Sequence, residues 1–151
     1  MTTPHSRTTL VAVLLALVVS LVPGPAQAQT VDKYESQARS VTNNKRDNHD
    51  LKKLSRGACV QKFARRQARR MANRDDMFHQ DLTVVLDKCN LVGVAENVAA
   101  GYETGRDAVN AWMDSTYHRA NLLEPSYRFL GLAVRRADDG TPYAAQVFGK
   151  K

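Results

Sequence analysis

The chain has 151 residues, 22 Lys and Arg against 15 Asp and Glu, a formal charge of +7 at pH 7, and two cysteines. That length fits one ordinary domain with a sizeable core. Two cysteines with no Cys-x-x-Cys pair and no clustered His/Cys spacing do not read as a structural zinc site.

The N-terminus carries Arg7, an apolar run from Leu10 to Val22, then Pro23-Gly24 and Ala26-Gln27-Ala28. The run is short for a membrane span, and the small residues of Ala-x-Ala fit signal peptidase, so residues 1–28 are expected to be a cleaved leader. Residues 29–151 then form a single secreted domain, extracellular or envelope-associated. It has no second long apolar run and is expected to be a monomer with no transmembrane segment. Cys59 and Cys89 enter an oxidising compartment in this reading, and a disulfide between them is expected. Closing that loop is worth about 3 to 4 kcal/mol in the chain-entropy model. Export also argues against nucleic acid as a partner.

Tyr34, Ala38 and Val41 recur at helical spacing and predict a first helix to about Lys45, followed by a polar loop over residues 43–50. From Ser55 to Arg74 the pattern is stronger. Cys59, Val60, Phe63, Ala64, Ala68, Met71 and Ala72 fall on one side of a helix, with arginines on the other. Lys52, Lys53, Arg56, Lys62, Arg65, Arg66, Arg69, Arg70 and Arg74 concentrate the positive charge there, either as a solvated face or as a binder of anionic wall polymers or headgroups.

The short, centrally β-branched segment Leu82–Leu86 reads as a strand or extended loop ahead of Cys89. Thr104 and Asp107 resemble a capping box with a shorter acid, opening a helix that carries Ala108, Val109, Trp112 and Met113 to about Ser115. His118–Leu123 adds a helical turn before Pro125, and strands at 130–137 and 142–148 flank the hairpin turn Asp138-Asp139-Gly140. Trp112, Tyr127, Phe129, Tyr143 and Phe148 are read as core, with Trp112 as a ligand platform the minor alternative.

Among the histidines of residues 29–151, His49 sits between Asn48 and Asp50 and reads as exposed. His79 and His118 each follow a predicted helix and can reach a cleft. Glu96 places a charge inside the apolar stretch Val94–Ala99, so it needs partners. It either accepts hydrogen bonds that pin its segment or faces the two histidines. In the second case the imidazoles supply zinc ligands at about 2.0 to 2.1 Å, water completes the sphere, and the carboxylate orients a ligand or takes a water proton.

His79, Ala95-Glu96-Asn97-Val98-Ala99, Ala108-Val109-x-x-Trp112-Met113-x-Ser115, His118-Arg119-Ala120-Asn121-Leu122-Leu123 with Pro125, Gly131, and Tyr143-x-x-Gln146-x-Phe148-Gly149 stand in that order. The series resembles bacterial SCP-like domains of the CAP superfamily (cysteine-rich secretory proteins, antigen 5, pathogenesis-related 1). The resemblance implies an α+β fold, a three-layer α/β/α sandwich around a central antiparallel sheet. It also implies a cleft of two histidines and two acids, with His79, Glu96 and His118 on three of its positions. The fourth differs, because Ser115 stands three residues after Trp112 where many eukaryotic relatives have glutamate. Serine can hold a water or orient His118 but cannot neutralise a divalent ion, which implies weak metal binding not needed for folding. Tyr117 replaces a small residue before the histidine and is expected to narrow the cleft.

Fold is not function. The leading expectation is a non-enzymatic secreted binding module whose His79/Glu96/Ser115/His118 cleft takes a divalent cation, zinc, or a small or lipid-like ligand, with an envelope component or small molecule as partner. Alternatives are a hydrolase with Glu96 or a histidine as base, and a basic-surface binder of anionic envelope polymers. Catalysis ranks lower because the chain has no Gly-x-Ser-x-Gly and no His-Glu-x-x-His.

Overall fold

The computed structural model describes residues 25–151, with side chains from residue 31 onward. The expected leader lies outside the described residues up to position 24, and its expected cleavage point after Ala28 falls within the first helix, α1 (Pro25–Asp47). Then follow β1 (Ser55–Arg56), α2 (Ala58–Arg74), α3 (Leu82–Cys89), β2 (Gly93–Ala100), α4 (Gly105–Asp114), α5 (Thr116–Leu123), β3 (Phe129–Arg136) and β4 (Pro142–Lys150).

The strands form one sheet in the order β1-β3-β4-β2. The three long strands are antiparallel, as expected, but the two-residue β1 runs parallel to β3, so the sheet is mixed. Alternation along the strands divides the core in two. Ala95, Ala99, Leu130, Leu132, Ala144 and Phe148 face α1, α4 and α5, with Trp112 and Leu122. Val98, Ala133, Tyr143, Ala145 and Val147 face α2 and α3, with Ala64, Met71 and Val85. The sheet is therefore the middle layer of an α/β/α sandwich. The expected core aromatics hold these places: Trp112, Tyr127, Tyr143 and Phe148 are buried, Phe129 is half-buried, and Tyr127 stacks on Phe148 at 5.6 Å.

Both edges of the sheet are covered by side chains, which blunts their unpaired backbone groups. On β3, beyond the short β1, the Gln61 amide mimics a strand: Nε2 donates to the Leu132 carbonyl at 2.7 Å and Oε1 accepts from the Leu132 N–H at 3.1 Å. On β2, the Trp112 indole donates to the Val98 carbonyl at 2.9 Å and Asn121 to the Glu96 carbonyl at 3.4 Å. The close seating of α2 on β3 requires Gly131, because a Cβ there would stand 2.3 Å from the Val60 carbonyl.

Three local expectations are corrected. Leu82–Cys89 is a helix, not a strand: Asp81 caps it by accepting the Thr83 N–H at 2.9 Å, Asn90 ends it in the left-handed region, and its inward Val85 and Cys89 lie one turn apart. α1 runs to Asp47, because two residues of the supposed polar loop bind inward. Asn43 pairs with both backbone groups of Leu54, and buried Arg46 donates to the carbonyls of Lys52, Leu122 and Glu124. Ser55-Arg56 is β1 rather than helix, and α2 starts after Gly57. The helical turn expected over His118–Leu123 is formed, as part of α5, which begins at Thr116.

The remaining expectations for local structure hold. Thr104 caps α4 by accepting the Asp107 N–H at 3.2 Å and donates to the Asp107 carboxylate at 2.6 Å. Cys59 in the first turn of α2 is bridged to Cys89, the last residue of α3, across a sequence separation of 30. No helix among the described residues is long and apolar enough to cross a membrane.

Candidate functional site

Glu96 lies on β2 in the row facing α2 and α3, and its carboxylate is saturated from the loop between those helices. Oε1 accepts from His79 Nδ1 at 2.9 Å and from the Gln80 backbone N–H at 3.1 Å, while Gln80 Nε2 donates to Oε2. The Glu96 side chain is 0% exposed and that of His79 56% exposed. A buried carboxylate held by three donors satisfies the demand its sequence context raised. Glu96 pins its segment, and of the two histidines expected to face it the structure bonds it to His79 alone.

The bond from Nδ1 to the carboxylate orients the His79 ring and leaves Nε2 as the ring nitrogen not engaged by Glu96. The loop itself is held from two further directions. Gln67 on α2 donates to the Phe78 carbonyl, and the guanidinium groups of Arg70 and Arg74 lie 5.1 and 4.9 Å from the centroid of the Phe78 ring.

His118 approaches from the other helical layer. Asn97, next to Glu96 and on the opposite face of β2, donates to the His118 carbonyl at 3.2 Å and to Gln146 at 3.1 Å. Asn121, one turn beyond His118, donates to Asn97 at 2.9 Å, and Gln146 donates to Thr42 on α1 at 2.9 Å. This chain of amides ties α1, β4, β2 and α5 together and sets the position of α5. The His118 imidazole is half-buried and held below its ordinary pKa, first by loss of water and second by the nearby His79. His79 and His118 thus belong to opposite helical layers on either side of β2, near enough for one to influence the other's charge.

A His118 value below that of free imidazole is expected in an NMR titration. Replacing His79 with Asn should raise it, without restoring it fully, since burial is the larger cause. Because folding lowers this pKa, its stabilising contribution is present above the unfolded value and fades as the pH falls through the folded one. A His118 value unmoved by the substitution would place the rings too far apart to interact.

The other expected site residues are placed differently. Ser115 ends α4 and starts α5: its N–H donates to the Trp112 carbonyl at 3.3 Å and its carbonyl accepts from Arg119 at 2.8 Å. No side-chain cap bond from Ser115 is formed on α5. Tyr117 is 85% exposed, so it stands in solvent rather than closing the cleft, contrary to expectation. Trp112 is buried under β2 and gives no ligand platform. His49 is exposed, as expected.

Gln80, Asn97 and Asn121 hold the site together without having been singled out for it. Asn97 and Asn121 do stand inside the motif segments that carry the resemblance, one residue after Glu96 and three after His118. Polar residues repeated beside suspected site residues were the available signal.

The donor set fits a cation only in part. Two imidazoles can offer lone pairs, but no group of three or more His, Cys, Asp or Glu among the described residues is arranged to hold a metal. A closed four-ligand structural zinc site is therefore not built by these residues, whereas an open site completed by water is compatible with them.

Residues 39–148 match the sequence profile of the cysteine-rich secretory protein family, CAP. A Bacillus subtilis protein, the uncharacterized YkwD, is 30% identical over 128 residues, covering 80% of this chain and 49% of the relative. The chain thus spans about half the length of that curated relative. Among solved structures, an extracellular SCP-domain protein of Bacillus anthracis superposes with a TM-score of 0.73 at 25% identity, over 87% of this chain and 45% of that one. A cysteine-rich secretory protein of Staphylococcus aureus gives 0.71 at 25% identity, over 82% and 40%. An outer surface protein of Borrelia burgdorferi shares the fold at a TM-score of 0.69 and 20% identity, over 75% and 89%. The profile match covers most of the chain and agrees with the sandwich described above: this chain is a member of the cysteine-rich secretory protein (CAP) family.

Proposed function

We infer that the protein is a secreted, non-enzymatic binding module whose His79/Glu96/His118 cleft takes a divalent cation, zinc by preference, weakly and with water completing the coordination. The observation that carries this reading is the bond from His79 Nδ1 to the sealed carboxylate of Glu96. It sets a half-exposed imidazole with Nε2 free of Glu96, while burial and the influence of His79 bias the His118 imidazole towards its neutral form. His79 and His118 would be the ligands, and Glu96 acts on the metal through His79 rather than by touching it. A bound zinc would supply a Lewis-acidic point that orders an oxygen-bearing ligand in the cleft. Export is supported by the leader-like N-terminus and by relatives described as extracellular or outer-surface proteins.

Hydrolysis with Glu96 as base is the weaker reading. A general base must reach the proton it abstracts. Glu96 has no exposed side-chain surface and already accepts three donors.

Isothermal titration of the purified protein with zinc at neutral pH should give saturable one-to-one heat that disappears in the His79→Ala/His118→Ala double variant. Glu96→Gln should weaken zinc binding by about 10- to 100-fold, the usual effect of losing a carboxylate behind a ligating histidine. Absence of heat with the unaltered protein would remove the cation from this account.

A further inference from the structure

A row of exposed basic side chains on α2 takes no part in the candidate site. α2 buries Val60, Ala64, Ala68 and Met71 against the sheet, and on its opposite side Lys62, Arg65, Arg66 and Arg69 are exposed. At 1.5 Å rise per residue these four extend about 10 Å along the helix, within one narrow stripe. None of them forms an ion pair among the described residues, where the three pairs found are Lys53–Asp47, His79–Glu96 and Arg136–Glu103. Arg65 and Arg69 also line, with Arg135 of β3, a recess of about 280 Å³ shared with Asp32 and Glu35. Those two acids offset part of the charge at one side, and Lys62 and Arg66 lie outside the recess lining.

We propose that this stripe is a docking surface for a linear cell-envelope polymer with phosphodiester-linked repeats, a binding function separate from the cleft. Three features select that partner. Arginine predominates, and its planar fork pairs with phosphate oxygens bidentately. The apolar face of α2 is consumed by the core, and the exposed large hydrophobics Met77, Val84, Val92, Tyr102 and Tyr117 all lie off α2, so the helix offers nothing to insert into a bilayer. The stripe also lacks an exposed aromatic side chain on which nucleic-acid bases could stack: Phe63 is half-buried, and Phe78 lies beneath Arg70 and Arg74. A flexible chain of spaced anions meets these constraints.

The test is binding of the purified protein to synthetic poly(glycerol phosphate), measured by fluorescence anisotropy across a salt series. Four neutralised phosphates predict a log-affinity slope of about −3 against log salt, which is about a 60-fold loss between 50 and 200 mM. The Lys62→Gln/Arg65→Gln/Arg66→Gln/Arg69→Gln variant should lose at least about 10-fold at 50 mM salt. His79→Ala/His118→Ala should bind as the unaltered protein does. A circular dichroism melt of the quadruple variant checks folding, and the salt slope of the unaltered protein stands whether or not that variant folds. Binding insensitive to salt overturns the proposal, as does a folded quadruple variant that binds normally. Equal affinity for polygalacturonate overturns the assignment to phosphate, and tighter binding to phosphatidylglycerol vesicles than to the polymer overturns it in favour of a membrane.

Discussion

Replacing Trp112 with alanine should lower the free energy of unfolding by about 4 to 6 kcal/mol, the sum of a large-to-small core deletion and an orphaned carbonyl. The indole is buried among Ala95, Ala99, Ala108 and Leu122 and donates to the Val98 carbonyl at 2.9 Å. The substitution therefore opens a cavity and uncovers the edge of β2 within two residues of Glu96. Against the roughly 5 to 15 kcal/mol that holds ordinary domains together, this loss leaves a marginal or unfolded chain. Trp112→Phe separates the two effects, because it keeps most of the packing and removes only the donor, for an expected loss of about 1 to 3 kcal/mol. Urea denaturation of both variants measures the difference. Losses below about 1 kcal/mol for both would mean that the indole does not hold the edge strand.

Replacing Cys59 and Cys89 together with serine should lower stability by about 3 to 4 kcal/mol, from the chain-entropy value for a loop of this length. The bridge joins the first turn of α2 to the last residue of α3. α3 has 8 residues, too few to persist without tertiary support. Its other end adjoins Gln80 and His79, so loosening it reaches the loop that grips Glu96. Hydrogen exchange should accelerate more across 82–89 than across α2, whose apolar face stays packed on β3 and β4. Uniform acceleration throughout would mean that the bridge acts only by constraining the unfolded chain and does not hold α3 in particular.

The long helix α2 and the cap of α4 were legible because their signals are local. Periodic apolar residues from Val60 to Ala72 and the Thr104/Asp107 pair act within their own elements. Thr83-Val84-Val85 misled because β-branching suggests extension, whereas the Asp81 cap, the Asn90 terminus and the bridge at Cys89 enforce helix. Asn43 and Arg46 misled for the opposite reason. Composition treats them as loop-forming polar residues, yet both satisfy backbone groups of distant segments, an arrangement visible only after folding. Gln61, covering the edge of β3 from 71 residues away, is a further case.

The pairing of His79 with Glu96 was legible through the motif series rather than through spacing, since nothing local links the two residues. What the motifs did not reveal is the division of labour. Glu96 is sealed and bonded to His79, Ser115 marks a helix junction, and Gln80, Asn97 and Asn121 hold the histidine-bearing segments in place. These amides differ from surface amides only in their burial.

The central claim is that two imidazoles, one from each helical layer, form a cation site at the edge of β2 with a carboxylate behind one of them. Anomalous scattering from zinc-soaked crystals of the protein tests it most directly. The account predicts an anomalous peak between His79 and His118, about 2.0 to 2.1 Å from one nitrogen of each ring, with the Glu96 carboxylate still bonded to His79 Nδ1 and not to the metal. Crystals in which the rings lie apart, or in which zinc binds elsewhere and leaves this pair empty, would contradict it.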